Sequence, residues 1–308
     1  MRILILGGTI FLGRHVAAAA LARGHELTLY TRGLHGAELF PEAEHVRGDR
    51  ADLTPLRGRW DACIDTSGYE AAHVAESAKL DAGHYVFVSS CNVYPDWPDK
   101  PVDEDSPTWT EGEDYGQQKA LSERALDAVR PGAWASVRAG CIVGPHDNVF
   151  RLPWWRERIA RGGEVPAPAP PERELQLIDA RDLATFMLDL AEGGVAGAFN
   201  GTAPIGQTTF AEILEGEANV HWLPEDALHD VEAWTELPLW LPERYEGTWR
   251  IGTERAQAAG LTCRAITETI ADVDAWLRDA PELPDWRAEH RPPRMSAERE
   301  AALLARLV

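Results

Sequence analysis

The chain has 308 residues, 44% of them hydrophobic, enough for one large core or two intimate ones. A net charge of −20 argues against a nucleic-acid partner, because binding a phosphate backbone needs a basic surface, whereas a phosphorylated small ligand needs only a local positive site. No apolar run approaches the roughly 18 residues of a membrane span, the N-terminus lacks the features of a signal peptide, and Cys63, Cys91, Cys141 and Cys263 are scattered without metal-ligand spacing. These features predict a reduced, cytoplasmic protein with no metal site, no membrane partner and no structural disulfide.

Arg2–Leu6 reads as a buried strand, ended by Gly7-Gly8. The turn Gly7-Gly8-Thr9-Ile10-Phe11-Leu12-Gly13 leads into an Ala-rich helix over 14–23, which Gly24 closes, and Leu27–Tyr30 is a second strand. Strand, glycine turn, helix and strand within about 30 residues form a βαβ unit, whose turn suits a pyrophosphate resting on the helix N-terminus. The second strand ends in Thr31-Arg32-Gly33 rather than in a carboxylate that would bond the ribose of NAD. Arg32 can pair with a 2′-phosphate, so NADP(H) is favoured over NAD; the bland alternative is a solvated loop arginine.

The alternation continues with strands over 44–47 and 61–65, a helix over 71–82, and a strand over 85–88 that delivers Ser89 and Ser90 at its carboxyl end. In an open parallel sheet the ligand lies outside the carboxyl ends of the strands, which puts Thr66, Gly68, Ser89 and Ser90 near it. Residues 95–112 are a polar loop, and Asp114 caps a helix from Tyr115 to Val129. A strand over 133–138 follows, then an extended Pro/Ala linker over 167–171, a strand-like stretch over 175–179, a helix over 183–191 capped by Asp182, and a last strand over 198–201. Beyond Pro204, short helices and Trp-rich loops dominate, with amphipathic helices over 266–277 and 296–307. Trp222, Trp234, Trp240, Trp249 and Trp276 read first as packing residues, with an aromatic wall for a flat substrate as the alternative.

Tyr115 and Lys119, four residues apart, share one helix face. Only three of the 30 basic residues are lysines (Lys79, Lys100 and Lys119), so a lysine here suggests that a compact ammonium is wanted rather than a guanidinium fork. An ammonium beside a phenol favours the phenolate and makes it a usable acid or base near neutral pH. Spacing alone equally fits an ordinary helix carrying an exposed Tyr and Lys.

Four segments together tip that balance: the turn at 7–13; Ser89-Ser90-Cys91-Asn92-Val93-Tyr94; Tyr115-Gly116-Gln117-Gln118-Lys119; and Arg138 through Gly144-Pro145, followed by Ile178-Asp179-Ala180-Arg181-Asp182. In this order they resemble the extended short-chain dehydrogenase/reductases, the group of NAD(P)-dependent epimerases, dehydratases and reductases, over roughly the first two thirds of the chain. The Gly-Gly-Thr-x-Phe-Leu-Gly form of the turn looks like an atypical branch, some members of which bind RNA in plastids. Ile10 stands where the family signature has its middle glycine, and Cys91-Asn92 stand where its dehydratases carry Asp-Glu, which argues against a sugar-nucleotide 4,6-dehydratase.

The resemblance implies an α/β fold, a Rossmann-type doubly wound parallel sheet with a smaller C-terminal substrate-binding lobe. The dinucleotide-binding domain would span 1–150 plus 175–202, the lobe 151–174 plus 203–308. It implies Tyr115 as general acid/base, Lys119 lowering its pKa and binding the nicotinamide ribose, and Ser90 bonding the substrate oxygen, while hydride moves between substrate and nicotinamide. Cofactor contacts would come from Gly7, Gly8, Thr9, Phe11, Leu12, Gly13, Thr31, Arg32, Asp49 (at the adenine), Ser67, Gly68, Ser89, Ile142 and Val143; in this reading Tyr69, one residue on, reaches the substrate or simply packs. The expected function is an NADP(H)-dependent oxidoreductase, a reductase or epimerase acting on a nucleotide sugar or a secondary-metabolite carbonyl. The alternative is a non-catalytic dinucleotide sensor or RNA-binding relative. Family members often pair through the helix bearing Tyr and Lys, and the mixed face formed by Ser122, Glu123 and Asp127 leaves a homodimer open.

Overall fold

The computed structural model describes residues 1–97, 100–216, 218–279 and 294–307. The chain forms two compact units. The first comprises 1–142, 178–203 and 251–263; the second comprises 143–177, 204–250 and 264–308.

The first unit is built on a seven-stranded, all-parallel sheet. Its strands are β1 (Arg2–Leu6), β2 (Glu26–Thr31), β3 (Glu44–Arg47), β4 (Trp60–Asp65), β5 (Ala82–Ser90), β6 (Trp134–Ala139) and the strand Gly197–Gly201, in the spatial order β3-β2-β1-β4-β5-β6-(197–201). This is the doubly wound, Rossmann-type order, with its switch point between β1 and β4. Alternation along the strands divides the core. Ile3, Ile5, Leu27, Leu29, Ala62, Ile64, Val86 and Val88 pack in one layer with α1 (Phe11–Ala22) and the helix Ala180–Gly193. Leu4, Leu6, Tyr30, Cys63, Tyr85 and Phe87 face the other layer, with Val74 of α2 (Ala71–Ser77) and Leu126 of α3 (Tyr115–Val129).

Three local expectations are corrected. The second helix stops at Ser77 rather than continuing to 82, because Ala82 already pairs with Trp60 as the first residue of β5. The helix expected to start at Leu183 under an Asp182 cap starts at Ala180, and Asp179 is the cap: its carboxylate accepts from the Arg181 amide at 2.8 Å. Ser122 and Glu123 are not on the outer face of α3; both are buried, Ser122 donating to the Gln118 carbonyl at 2.7 Å and Glu123 paired with Arg138.

In the second unit, only the first two residues of the expected linker over 167–171, Ala167 and Pro168, are strand, and 169–171 leave it. Glu164–Pro168 pairs in parallel with Asn219–Leu223, so that part of the proline-rich run is extended because it belongs to a ladder. The helix Arg151–Ala160 is tied down by two buried arginines: Arg156 binds Asp274 of the helix Ile266–Asp279 at 2.8 Å, and Arg158 binds Glu300 of the helix Ala297–Leu304 at 2.8 Å. Ser296 caps that last helix. Trp240 and Trp249 are buried, as packing residues are, and Trp234 is half-buried against Trp249 with ring centroids 5.8 Å apart.

Candidate active site

The glycine turn after β1 is shaped for close backbone approach. Gly7 and Gly8 have φ of +109° and +107°, a region L-residues avoid. A Cβ on Gly13 would come within 2.6 Å of the Gly8 amide nitrogen, and one on Gly7 would overlap the Thr66 hydroxyl. Ile10 is the N-cap residue of α1, in an ordinary extended conformation (φ −126°), and its side chain packs against the core. That position therefore needs no glycine; the unusual backbone falls on Phe11, at φ +37°. The N-cap residue Ile10 has no side chain that could cap α1 and no acid lies in its first turn, so the turn, with buried Thr9 and Leu12, retains the character of an anion cradle.

β4 delivers Thr66-Ser67-Gly68 beside that cradle. The Thr66 and Ser67 hydroxyls both donate to the Leu6 carbonyl, at 3.1 and 3.0 Å. The loop is held from below by fully buried Asp65, which accepts from both terminal guanidinium nitrogens of Arg50, the Ser67 amide (3.0 Å) and the Tyr85 hydroxyl (2.7 Å). Ser77 completes this network at 2.9 Å from Arg50 and 2.7 Å from Tyr85. Arg50 follows Asp49 directly. The Asp49 carboxylate accepts from the Ala51 amide, and its carbonyl accepts from the Tyr30 hydroxyl, as does that of Asp52.

Lys119 is only 2% exposed, although its helix neighbour Tyr115 is 47% exposed. Its ammonium donates to the Gly68 and Val88 carbonyls, each at 2.7 Å, and lies 5.6 Å from the centroid of the Tyr115 ring. Burial pushes its pKa down to about 8, with Asp65 and Glu123 resisting and Arg50 assisting the shift. The Tyr69 hydroxyl moves the other way, raised from the ordinary phenol value by desolvation and by the charge of Asp65. Folding with a lysine depressed from 10.5 to about 8 has a fixed sign. Between those values the unfolded chain holds a proton the folded chain lacks, so stability rises with pH through the window, by about 3 kcal/mol in all. Denaturant titrations from pH 7 to 10.5 are expected to show this slope in the native protein and not in a Lys119→Met variant; equal slopes would contradict it.

The start of α3 closes tightly on the serine turn. Asp114 and Gln117 cap the helix reciprocally, the Asp114 amide donating to the Gln117 side chain at 3.0 Å. Any Cβ on Gly116 would run into the Asn92 carbonyl. Asn92 lies in the 3₁₀ turn Cys91–Val93, which Ser90 caps: its hydroxyl accepts from the Asn92 amide at 3.1 Å. Ser89 points its hydroxyl into a buried position with no hydrogen-bond partner among the described residues. Behind the turn, Arg138 joins α3 to Tyr94: it binds Glu123 at 2.8 Å and the Tyr94 hydroxyl at 3.0 Å, and Tyr94 donates to Asn200 at 2.7 Å.

The structure thus gathers Gly7, Gly8, Gly13, Thr66, Ser67 and Gly68 around one turn, and Gly68, Lys119 and Tyr115 around one ammonium. Thr31 and Arg32 follow at the end of β2, next to the glycine turn, whose Gly7 amide donates to the Tyr30 carbonyl at 3.0 Å. There the Thr31 hydroxyl accepts from the Gly33 amide at 3.2 Å, and Arg47, opposite Thr31 on β3, donates to the Arg32 carbonyl at 2.9 Å. Ile142 packs against the core of the first unit, and Val143, fully buried, opens the second. The sequence reading missed Arg50, Asp65 and Arg47. Of these, only Asp65 carried a signal, as a charge ending an apolar strand.

Residues 60–205 match the model of the NAD dependent epimerase/dehydratase family. The chain is 28% identical over 209 residues to a chloroplast stem-loop binding protein of 41 kDa from Arabidopsis thaliana, covering 61% of this chain but only 54% of that protein. It is 26% identical to an epimerase family protein, SDR39U1, of Mus musculus, covering 70% of this chain and 79% of that one. Among solved structures, UDP-glucose 4-epimerase of Thermus thermophilus in complex with NAD superposes with a TM-score of 0.66 at 19% identity, over 91% of this chain and 100% of that one, a likeness of fold. No helix among the described residues is long and apolar enough to cross a membrane. With the family model matched from β4 to the strand Gly197–Gly201, just under half of the chain, and the four sequence segments in order, the chain is similar to the NAD-dependent epimerase/dehydratase family.

Proposed function

We propose that the chain is an NADP(H)-dependent oxidoreductase that reduces or epimerises a carbonyl/hydroxyl carbon of a nucleotide sugar or related small molecule. The observation that carries this reading is Lys119, a buried ammonium fixed on two backbone carbonyls beside an exposed tyrosine ring. The glycine turn fits a dinucleotide, since it keeps clear the volume that Cβ atoms on Gly7 and Gly13 would fill and puts Ile10, which has no capping group, at the α1 N-cap. Its pyrophosphate would rest on Gly7–Gly13, its adenosine by Thr31, Arg32 and Asp49, and its nicotinamide end by Ser67, Gly68, Ser89, Lys119, Ile142 and Val143. When bound, the nicotinamide supplies or accepts the hydride. Tyr115 then gives or takes the proton at the substrate oxygen, Ser90 bonds that same oxygen, and Lys119 holds Tyr115 toward the phenolate. In this reading the first unit is the coenzyme domain and the second contributes the substrate lobe.

For the coenzyme, two cations support the phosphorylated form: Arg32, exposed, and Arg47, drawn to its carbonyl. Arg32→Ala and Arg47→Ala are each expected to weaken NADPH binding by roughly 10- to 100-fold, the worth of a hydrogen bond to a charged group, without changing NADH binding. Fluorescence titration of both coenzymes reads this directly, and equal losses for the two would return the preference to NAD. The activity is tested by incubating the protein with a panel of nucleotide sugars and either NADPH or, in parallel, NADP+, because an epimerase that first oxidises its sugar starts from the oxidised coenzyme. Coenzyme oxidation marks a reductase, sugar interconversion without net oxidation marks an epimerase, and neither with any member moves the substrate to a non-nucleotide carbonyl. The plant relative, a stem-loop binding protein, supports a second reading, RNA binding, which the charge of −20 opposes.

A further inference from the structure

Three aromatic rings surround the Lys119 ammonium, with centroids 4.8 Å (Phe87), 5.0 Å (Tyr69) and 5.6 Å (Tyr115) from Nζ. They are of two kinds. Phe87 is wholly buried, whereas Tyr69 is 60% exposed and Tyr115 nearly half, with their rings 6.3 Å apart. The solvent-facing members of this set are therefore the two tyrosines, yet the ammonium they flank is almost inaccessible. Tyr69 is held there by its neighbour. Gly68 is pressed so closely against the Phe87 and Val74 side chains and the Asp65 carboxylate that a Cβ would come within 2.7 to 2.9 Å of them. The same Gly68 gives its carbonyl to Lys119. One loop thus supplies both an acceptor for the ammonium and an aromatic cover over it.

We propose that Tyr69 is a positioning residue for the Lys119–Tyr115 pair: its ring forms the outer wall of an aromatic cage that keeps water off the ammonium and holds it beside Tyr115. Its catalytic meaning rests on the acid/base reading of Tyr115 given above; the cage itself does not. A ring face attracts an ammonium, but it returns only part of the hydration that burial removes, so the net effect of the wall is to weaken the charged form. The charged and titratable groups facing Lys119 are Asp65 and Glu123, which favour its charge, Arg50, which opposes it, and the Tyr69 and Tyr115 hydroxyls. Truncating Tyr69 leaves all the others in place.

The test needs no substrate. With only three lysines in the chain, selective ¹³C-lysine labelling gives three side-chain signals, and Lys79→Arg and Lys100→Arg identify the two exposed ones. In the full-length protein, Lys119 is expected to titrate well below Lys79 and Lys100. Tyr69→Phe should leave that midpoint in place, and Tyr69→Ala should raise it by about one pH unit or more as water reaches the ammonium. Tyr69→Thr serves as a second truncation. An unmoved Lys119 midpoint in the truncated protein, or a native midpoint equal to that of Lys79, overturns the proposal. Once a substrate is in hand, the alkaline limb of turnover should shift with the midpoint in Tyr69→Ala and return in Tyr69→Phe. A shifted midpoint together with unimpaired turnover in Tyr115→Phe would leave the cage standing and remove the acid/base reading instead.

Discussion

Tyr115→Phe is expected to lower turnover by roughly 10²- to 10⁴-fold, the usual worth of a positioned acid or base, while NADPH binds as before. The substitution removes one oxygen and keeps the ring beside Lys119. Lost rate with intact binding therefore separates proton transfer from coenzyme recognition. Initial rates at saturating coenzyme, set beside a fluorescence titration of the same variant, make the comparison. A variant as fast as the native protein would end the assignment of Tyr115, and one that no longer binds coenzyme would point to a damaged site.

Arg138→Met is the second large effect, on folding rather than rate. It strands the Glu123 carboxylate, 6% exposed, without its guanidinium, and deprives the Tyr94 hydroxyl and the Glu104 carbonyl of a donor. Removing one partner of a buried ion pair costs about 3–5 kcal/mol. Adding Glu123→Leu should return most of that loss, because replacing both members by apolar groups of similar volume is often close to neutral. Urea unfolding of the single and double variants measures both changes. A single variant within about 1 kcal/mol of the native protein, the range of ordinary substitutions, would show that the pair carries no such weight.

Most of the first unit was legible because its signals are local and repeat: apolar runs of strand length, glycines at the switch from strand to helix, and Tyr and Lys at helical spacing. Boundaries were missed where the deciding contact is distant. Nothing within residues 71–82 tells Ala82 to leave the helix; Trp60, 22 residues earlier, does so by pairing with it. Asp179 and Asp182 are equally good caps by residue type, and the choice falls to the position where the preceding strand Leu177–Asp179 ends. Ser122 and Glu123 read as surface residues because a buried carboxylate is unintelligible without its partner, and Arg138 lies a strand away. Gly116 carried no reading of its own within the segment 115–119. Its reason is the Asn92 carbonyl, which only a residue without a Cβ can approach so closely.

The Arg50–Asp65 pair makes the two ends of the site energetically inseparable. Arg50 is the residue after Asp49, and Asp65 steadies the loop whose Gly68 carbonyl receives Lys119. Substitutions at Arg50 and at Lys119 act on one hydrogen-bonded network, so their costs will not sum, and a double-mutant cycle between them should return a coupling of about 0.5–3 kcal/mol. The consequence is a constraint on inheritance: the 66–69 loop is free to change its reach only in step with the far edge of the sheet.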